Sequence, residues 1–169
     1  MVETGQSGKA VSNVGEKSFT IRRVFDAPRE LVFKAFTEPE HVSRWWAPGG
    51  YTIPVCKIDL RPEGIWHYCM QSPEGDRHWA RSVYREIVEP ERIVYTGTFA
   101  DAEANPVGGL PEHIATVTFT ENEGKTTLAV HIQLQSLQEL KTTLDMGMME
   151  GLTETINNLD KVLENIQSA

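Results

Sequence analysis

The sequence predicts an α+β domain in which a curved antiparallel sheet wraps around a long C-terminal helix, with two short helices after the first strand. Three observations carry this expectation. Six strand-like segments follow one another between residues 51 and 134, joined by Gly- and Pro-containing connections of hairpin length. Before them stand one β-rich run and two brief helical patterns, opened by Pro28 and Pro39. After them, Leu140, Leu144, Met148, Leu152, Ile156, Leu159, Leu163 and Ile166 recur at three- and four-residue steps, the stripe of one amphipathic helix.

Each element has its own local warrant. Residues 1–17 are polar, rich in Gly, Ser and Lys, and without periodicity; they read as a flexible tail ahead of one domain over 18–167. Ser18–Phe25 (SFTIRRVF) is β-branched and aromatic at strand length. Asp26 is placed to cap the helix that follows, with Pro28 in its first turn and Val32, Ala35 and Phe36 as its buried stripe. Thr37 and Glu40 fit a capping box for a second, shorter helix that ends by Ala47-Pro48-Gly49-Gly50. Strands are expected over 51–60, 64–71, 78–88, 92–99, 112–120 and 125–134, with Gly108-Gly109 as turn punctuation. In the last strand Leu128, Val130, Ile132 and Leu134 share one face. The terminal helix is expected to run unbroken over 137–166, roughly 45 Å at 1.5 Å per residue, long enough to cross a six- or seven-stranded sheet.

Composition excludes several functions. The chain has 169 residues, a net charge of −8 and a pI near 5.1, the wrong sign for a phosphate-backbone footprint or an anionic membrane surface. No nucleic-acid and no membrane partner is expected: no apolar run approaches the ~18 residues of a span, and the first residues lack a signal-peptide core. Two cysteines, Cys56 and Cys69, are too few for a disulfide framework, so a reducing, cytoplasmic setting is the expectation.

Chemistry-bearing motifs are sparse. There is no nucleophile elbow, phosphate-cradling loop or dinucleotide fingerprint, so no cofactor is called for. Cys56, His67, Cys69 and His78 have the chemistry of zinc ligands but not the spacing of a zinc motif, and no metal is assigned. Alternation places Trp66, Tyr68 and Met70 on one face of a strand, and the terminal helix offers Met148, Met149 and Leu152 beside Gly147 and Gly151. Aromatic faces opposite flexible thioethers suit the wall of a ligand cavity as well as a dry core. Tyr84 and Tyr95 supply further hydroxyls. Arg23 shares a face with Phe19, Ile21 and Phe25; it reads either as a charged anchor for a ligand or as a side chain at the sheet rim. Trp45 reads as a structural plug, and Trp46 as a plug or part of a lid.

RRVFDAPRELVFKAFTEPEHVSRWWAP (22–48), YTIPVCKIDLRPEGIWHYCM (51–70), YREIVEPERIVYT (84–96) and MGMMEGLTETINNLDKVL (146–163) together resemble the activator of heat-shock protein 90 ATPase homologue-like family, within the START-like (SRPBCC) superfamily of helix-grip domains. The resemblance covers about residues 18–167. It implies the helix-grip fold and an apolar cavity between sheet and terminal helix, with a small hydrophobic or aromatic molecule as partner. The candidate ligand-binding residues are Trp46, Trp66, Tyr68, Met70, Tyr84, Tyr95, Met148, Met149, Leu152 and Arg23. Relatives also include cyclase-type acid–base enzymes and stress-related co-chaperones, so a catalytic cavity and a chaperone partner are the alternatives. A homodimer is compatible with the pattern.

Overall fold

A computed structural model describes residues 10–47, 49–107 and 112–168. Eight strands, all paired antiparallel, form one sheet: β1 (Val11–Val14), β2 (Ser18–Phe25), β3 (Thr52–Ile58), β4 (Ile65–Gln71), β5 (Arg77–Val88), β6 (Arg92–Ala100), β7 (His113–Asn122) and β8 (Lys125–Gln133). The order across the sheet is β1-β2-β8-β7-β6-β5-β4-β3, so the meander from β3 to β8 is closed by the N-terminal hairpin. Two short helices, α1 (Arg29–Thr37) and α2 (Pro39–Trp45), bridge β2 to β3.

Four expectations are corrected. The stretch expected to be a tail contains β1, which pairs Val11 with Arg22 and Val14 with Phe19; residues 1–9 lie outside the described residues, as do Pro48 and the Gly108-Gly109 pair. With β1 added, the sheet has eight strands rather than six or seven, and the short helices follow the second strand. The terminal helix is two helices, α3 (Leu137–Asp145) and α4 (Met148–Ser168), because Gly147 takes a φ of +84°, a left-handed conformation that ends a helix. Finally, Pro28 and Glu38 are the N-cap residues of α1 and α2, and neither makes a side-chain cap bond. Thr37 is occupied otherwise: its hydroxyl donates to the Phe33 carbonyl at 2.8 Å. The side-chain cap is found instead at α3, where Ser136 accepts from the Glu139 amide.

The strand periodicity holds. Phe19, Ile21, Leu128, Val130 and Ile132 are buried on the concave face, with Phe19 opposite Ile132 and Ile21 opposite Val130. Ile156, Leu159, Val162 and Leu163 of α4 are buried and belong to the same core. A chain of ring contacts crosses this core. Phe33 and Phe36 pack on Phe119, Phe36 on Trp45 and Trp46, and Trp46 on Trp66 with centroids 4.6 Å apart. Offset and edge-on rings of this kind fix one another's orientation beyond their burial.

Candidate functional site: a cavity under the helix break

The concave face is not filled uniformly. Register places the small side chains Ala80, Ser82 and Gly97 side by side at its centre: Ala80 opposite Phe99, Ser82 opposite Gly97, and Gly97 opposite His113. Where neighbouring strands all lack bulk, the covering helix cannot reach the sheet. A cavity of about 430 Å³ remains there, within the size range of small-molecule sites. Its walls include Trp46, Tyr68, Met70, Tyr95 and Phe99 from the core side and Met148, Gly151, Leu152 and Thr155 from α4. Tyr51, His78 and Met146, the last 47% exposed, stand at its edge towards solvent.

Two sets of bonds hold α4 over this space. The Gly49 amide donates to Glu154 Oε1 at 2.6 Å, and Asn158 Nδ2 donates to the Ala47 carbonyl at 3.0 Å. Further along the helix, Arg23 Nη1 donates to the Asn157 carbonyl and Oδ1 at 3.1 and 3.2 Å, while Nη2 pairs with Asp160 at 3.2 Å. The Arg23 guanidinium also lies over the Phe25 ring at 4.7 Å. Helix and sheet are thus fixed to each other around the cavity rather than through it.

Six of the ten candidate residues line the cavity: Trp46, Tyr68, Met70, Tyr95, Met148 and Leu152. The other four do not. Trp66 is wholly buried behind Trp46 and Tyr68, and supports those rings rather than facing the space. Tyr84 stands one ring further into the core against Tyr95, and Met149 packs on the core beside Met148. Arg23, 4% exposed, is neither a ligand anchor nor a rim residue; it is committed to α4. The two tryptophans separate cleanly: Trp45 Nε1 donates to the Ala35 carbonyl in the core, whereas Trp46 reaches the cavity.

The four cysteine and histidine side chains weighed as metal ligands are not brought together. His67 stacks on Trp79 and its Nε2 contacts the Asp101 carbonyl, while His78 lies at the cavity edge. Among the described residues no group of three or more His, Cys, Asp or Glu could hold a metal ion. Burial also pushes the Cys56 thiol up to about 11, the wrong direction for a nucleophile.

The electrostatics of the cavity are those of a neutral, weakly polar space. Burial pushes the Tyr68 phenol up to about 12, offset in part by its hydrogen bond with Trp46, and holds Tyr95 well above the ordinary tyrosine range. Both remain hydroxyls at any physiological pH. His113 was not among the residues singled out from sequence, yet it lines the cavity; burial lowers it to about 4, so its imidazole is uncharged. Among the described residues no carboxylate lines the space, and the Arg81 guanidinium donates to the Ala104 carbonyl at 3.2 Å. Such a site can hold an apolar body and exchange hydrogen bonds with it. It offers no dedicated counter-ion.

A family model described as Activator of Hsp90 ATPase homolog 1-like protein matches residues 26–164. Among solved structures, a protein from Mycobacterium smegmatis is similar at 29% identity with a TM-score of 0.82, over 92% of this chain and 95% of that one. A protein from Arthrobacter aurescens is similar at 26% identity with a TM-score of 0.84, over 95% and 93% of the two chains. One from Nitrosomonas europaea, at 24% identity and a TM-score of 0.80 over 93% and 100%, shares the fold. No curated protein matches the chain.

Proposed function

The chain belongs to the activator of Hsp90 ATPase homolog 1-like family, and from that premise we propose that it binds a small hydrophobic or aromatic molecule between sheet and α4. The observation that carries this reading is the 430 Å³ cavity, walled by rings and thioethers and floored by small side chains. Unfilled space of this size forfeits packing energy unless something occupies it. Burying about 200 Å² of ligand surface contributes about 5 kcal/mol, which alone corresponds to sub-millimolar dissociation. Tighter binding therefore needs polar anchors.

The test is occlusion. Leu152 faces the cavity from α4, and Leu152→Trp places an indole in the space without touching the bonds that hold the helix. The variant is expected to fold and to lose uptake of apolar compounds, read by native mass spectrometry against apolar acids, sterols and aromatic polyketides. Unchanged uptake by the folded variant overturns the assignment of this cavity.

A second reading, cyclase- or hydratase-type acid–base chemistry in the same space, is favoured by one observation. An unprotonated imidazole (His113) and a protonated phenol (Tyr95) lie with ring centroids 6.4 Å apart, an acceptor beside a donor. Turnover of a captured ligand separates this from simple binding.

A further inference from the structure

The cavity contains hydrogen-bonding side chains that the protein itself leaves unused. Ser82, 4% exposed, makes no hydrogen bond through its hydroxyl among the described residues, and neither do Thr155 and the His113 ring. Their polar atoms face the open cavity rather than the packed core, so what completes their hydrogen bonds is whatever fills the space, water or a ligand that displaces it.

Their placement is specific. Ser82, Gly97 and His113 stand in one row across β5, β6 and β7, with glycine in the middle. A Cβ on Gly97 would lie 2.7 Å from His113 Nε2 and Cε1 and 3.4 Å from Ser82 Oγ. The two polar groups therefore converge over the missing side chain. Any other residue at that position drives the imidazole away. On one side Trp66 stands opposite Ser82, and one step along the strands Tyr95 lies beside His113, so aromatic rings border the polar row.

An uncharged imidazole can accept a hydrogen bond through its unprotonated nitrogen, and a serine hydroxyl can donate one. A ligand hydroxyl satisfies both at once, donating to the histidine and accepting from the serine. A carbonyl can only accept, from the serine hydroxyl or the imidazole N–H, and has no proton to give the unprotonated ring nitrogen. A carboxylate finds no cation within this polar row, the wall residue Arg81 being engaged with the Ala104 carbonyl, and loses its hydration on entry.

We propose that Ser82 and His113, meeting over Gly97, form the specificity-determining pair of the cavity and select neutral aromatic ligands that carry a hydroxyl group. This rests on the reading of the cavity as a ligand site.

The experiment uses three molecules of one shape: phenanthrene, 9-phenanthrol and phenanthrene-9-carboxylate. Each is titrated at pH 7 into the full chain, and binding is read by quenching of tryptophan fluorescence, to which Trp46 in the cavity wall contributes. The phenol is expected to bind about tenfold more tightly than the hydrocarbon, the worth of one well-made hydrogen bond, and the carboxylate more weakly than either. In His113→Leu the preference for phenol over hydrocarbon is expected to fall to about twofold or less, and in Ser82→Ala to fall measurably. Folding of each variant is read independently from a cooperative urea melt, and the quantity compared is the phenol-to-hydrocarbon ratio within each variant rather than either affinity alone. Equal affinity for phenanthrene and phenanthrol in the wild type, or an undiminished preference in both variants, overturns the assignment of the pair and leaves the cavity reading standing. Absence of binding by all three molecules overturns the cavity reading and the pair with it.

Discussion

Arg23 shows how a single side chain can be misassigned from pattern alone. Strict alternation puts its guanidinium on the apolar face of β2, where a cation either serves a ligand or needs a partner within the fold. The partner is α4: two hydrogen bonds to Asn157, an ion pair with Asp160 and the face of Phe25. Asp160 is about half exposed, so it regains water if the arginine is removed, and the loss is moderate for a buried cation. Arg23→Met keeps the stem volume and is expected to cost about 2 kcal/mol in chemical denaturation. The same variant should leave phenanthrene affinity within about twofold, since Arg23 is not part of the cavity wall. A large change in affinity at full stability would return Arg23 to the ligand. Of the cavity itself, the aromatic and methionine walls were legible because they alternate within one strand or recur along one helix. His113, Ser82 and Gly97 were not: each is unremarkable in its own segment. What makes them a site is register between three strands, which sequence periodicity does not contain.

At the scale of elements, the break between α3 and α4 is the feature that most changes the site. The hydrophobic stripe runs on through residues 137–166 as if the helix were continuous, and the stripe residues on both sides of the break do pack inward. The interruption rests on one backbone conformation. Gly147 sits at φ +84° with no atom near a prospective Cβ, so alanine there meets no clash and only the left-handed backbone penalty. Gly147→Ala is expected to cost about 1–2 kcal/mol. Gly151, four residues on and inside α4, also has open space around it but no positive φ, and Gly151→Ala is expected to stabilise by about 0.5–1 kcal/mol. Opposite signs in paired urea melts would confirm that the break is imposed by conformation rather than by packing; equal signs would refute it. A glycine four residues before another is no signal of its own in an amphipathic pattern, which is why the sequence reads as one helix. The edge strand β1 escaped for a related reason: Val11–Val14 (VSNV) is short and half polar, and it joins the sheet by pairing with β2 at its edge.

For the molecule as a whole, the cavity groups set limits on pH stability from both sides. In the unfolded chain His113 takes up a proton near its ordinary 6.5, whereas the half-buried, desolvated ring in the cavity wall resists until about 4. Between those values the unfolded state binds more protons, so stability falls as pH drops through that window, by up to about 3 kcal/mol from this group. On the alkaline side Tyr68 ionises near 10 when unfolded and near 12 when folded, so stability falls as pH rises from 10 towards 12. Urea midpoints measured across pH should form a plateau between about 6.5 and 10, with the acidic slope reduced in His113→Leu. An acidic limb identical in wild type and variant would show that the imidazole is not held neutral by the fold.

The strand order also governs when the protein can exist at all. β2 precedes its partner β8 by some hundred residues, and Arg23 meets Asn157 only after 134 residues separate them. At ordinary elongation rates that interval is roughly ten seconds. Throughout it the nascent chain carries the Phe19, Ile21 and Phe25 face with nothing to cover it, while the β3–β7 meander can pair as it appears. Residues from Thr143 to Thr155, at the helix break and in the first turns of α4, complete the enclosure. A chain stopped short of Thr143 therefore has the aromatic wall of the cavity but not its roof.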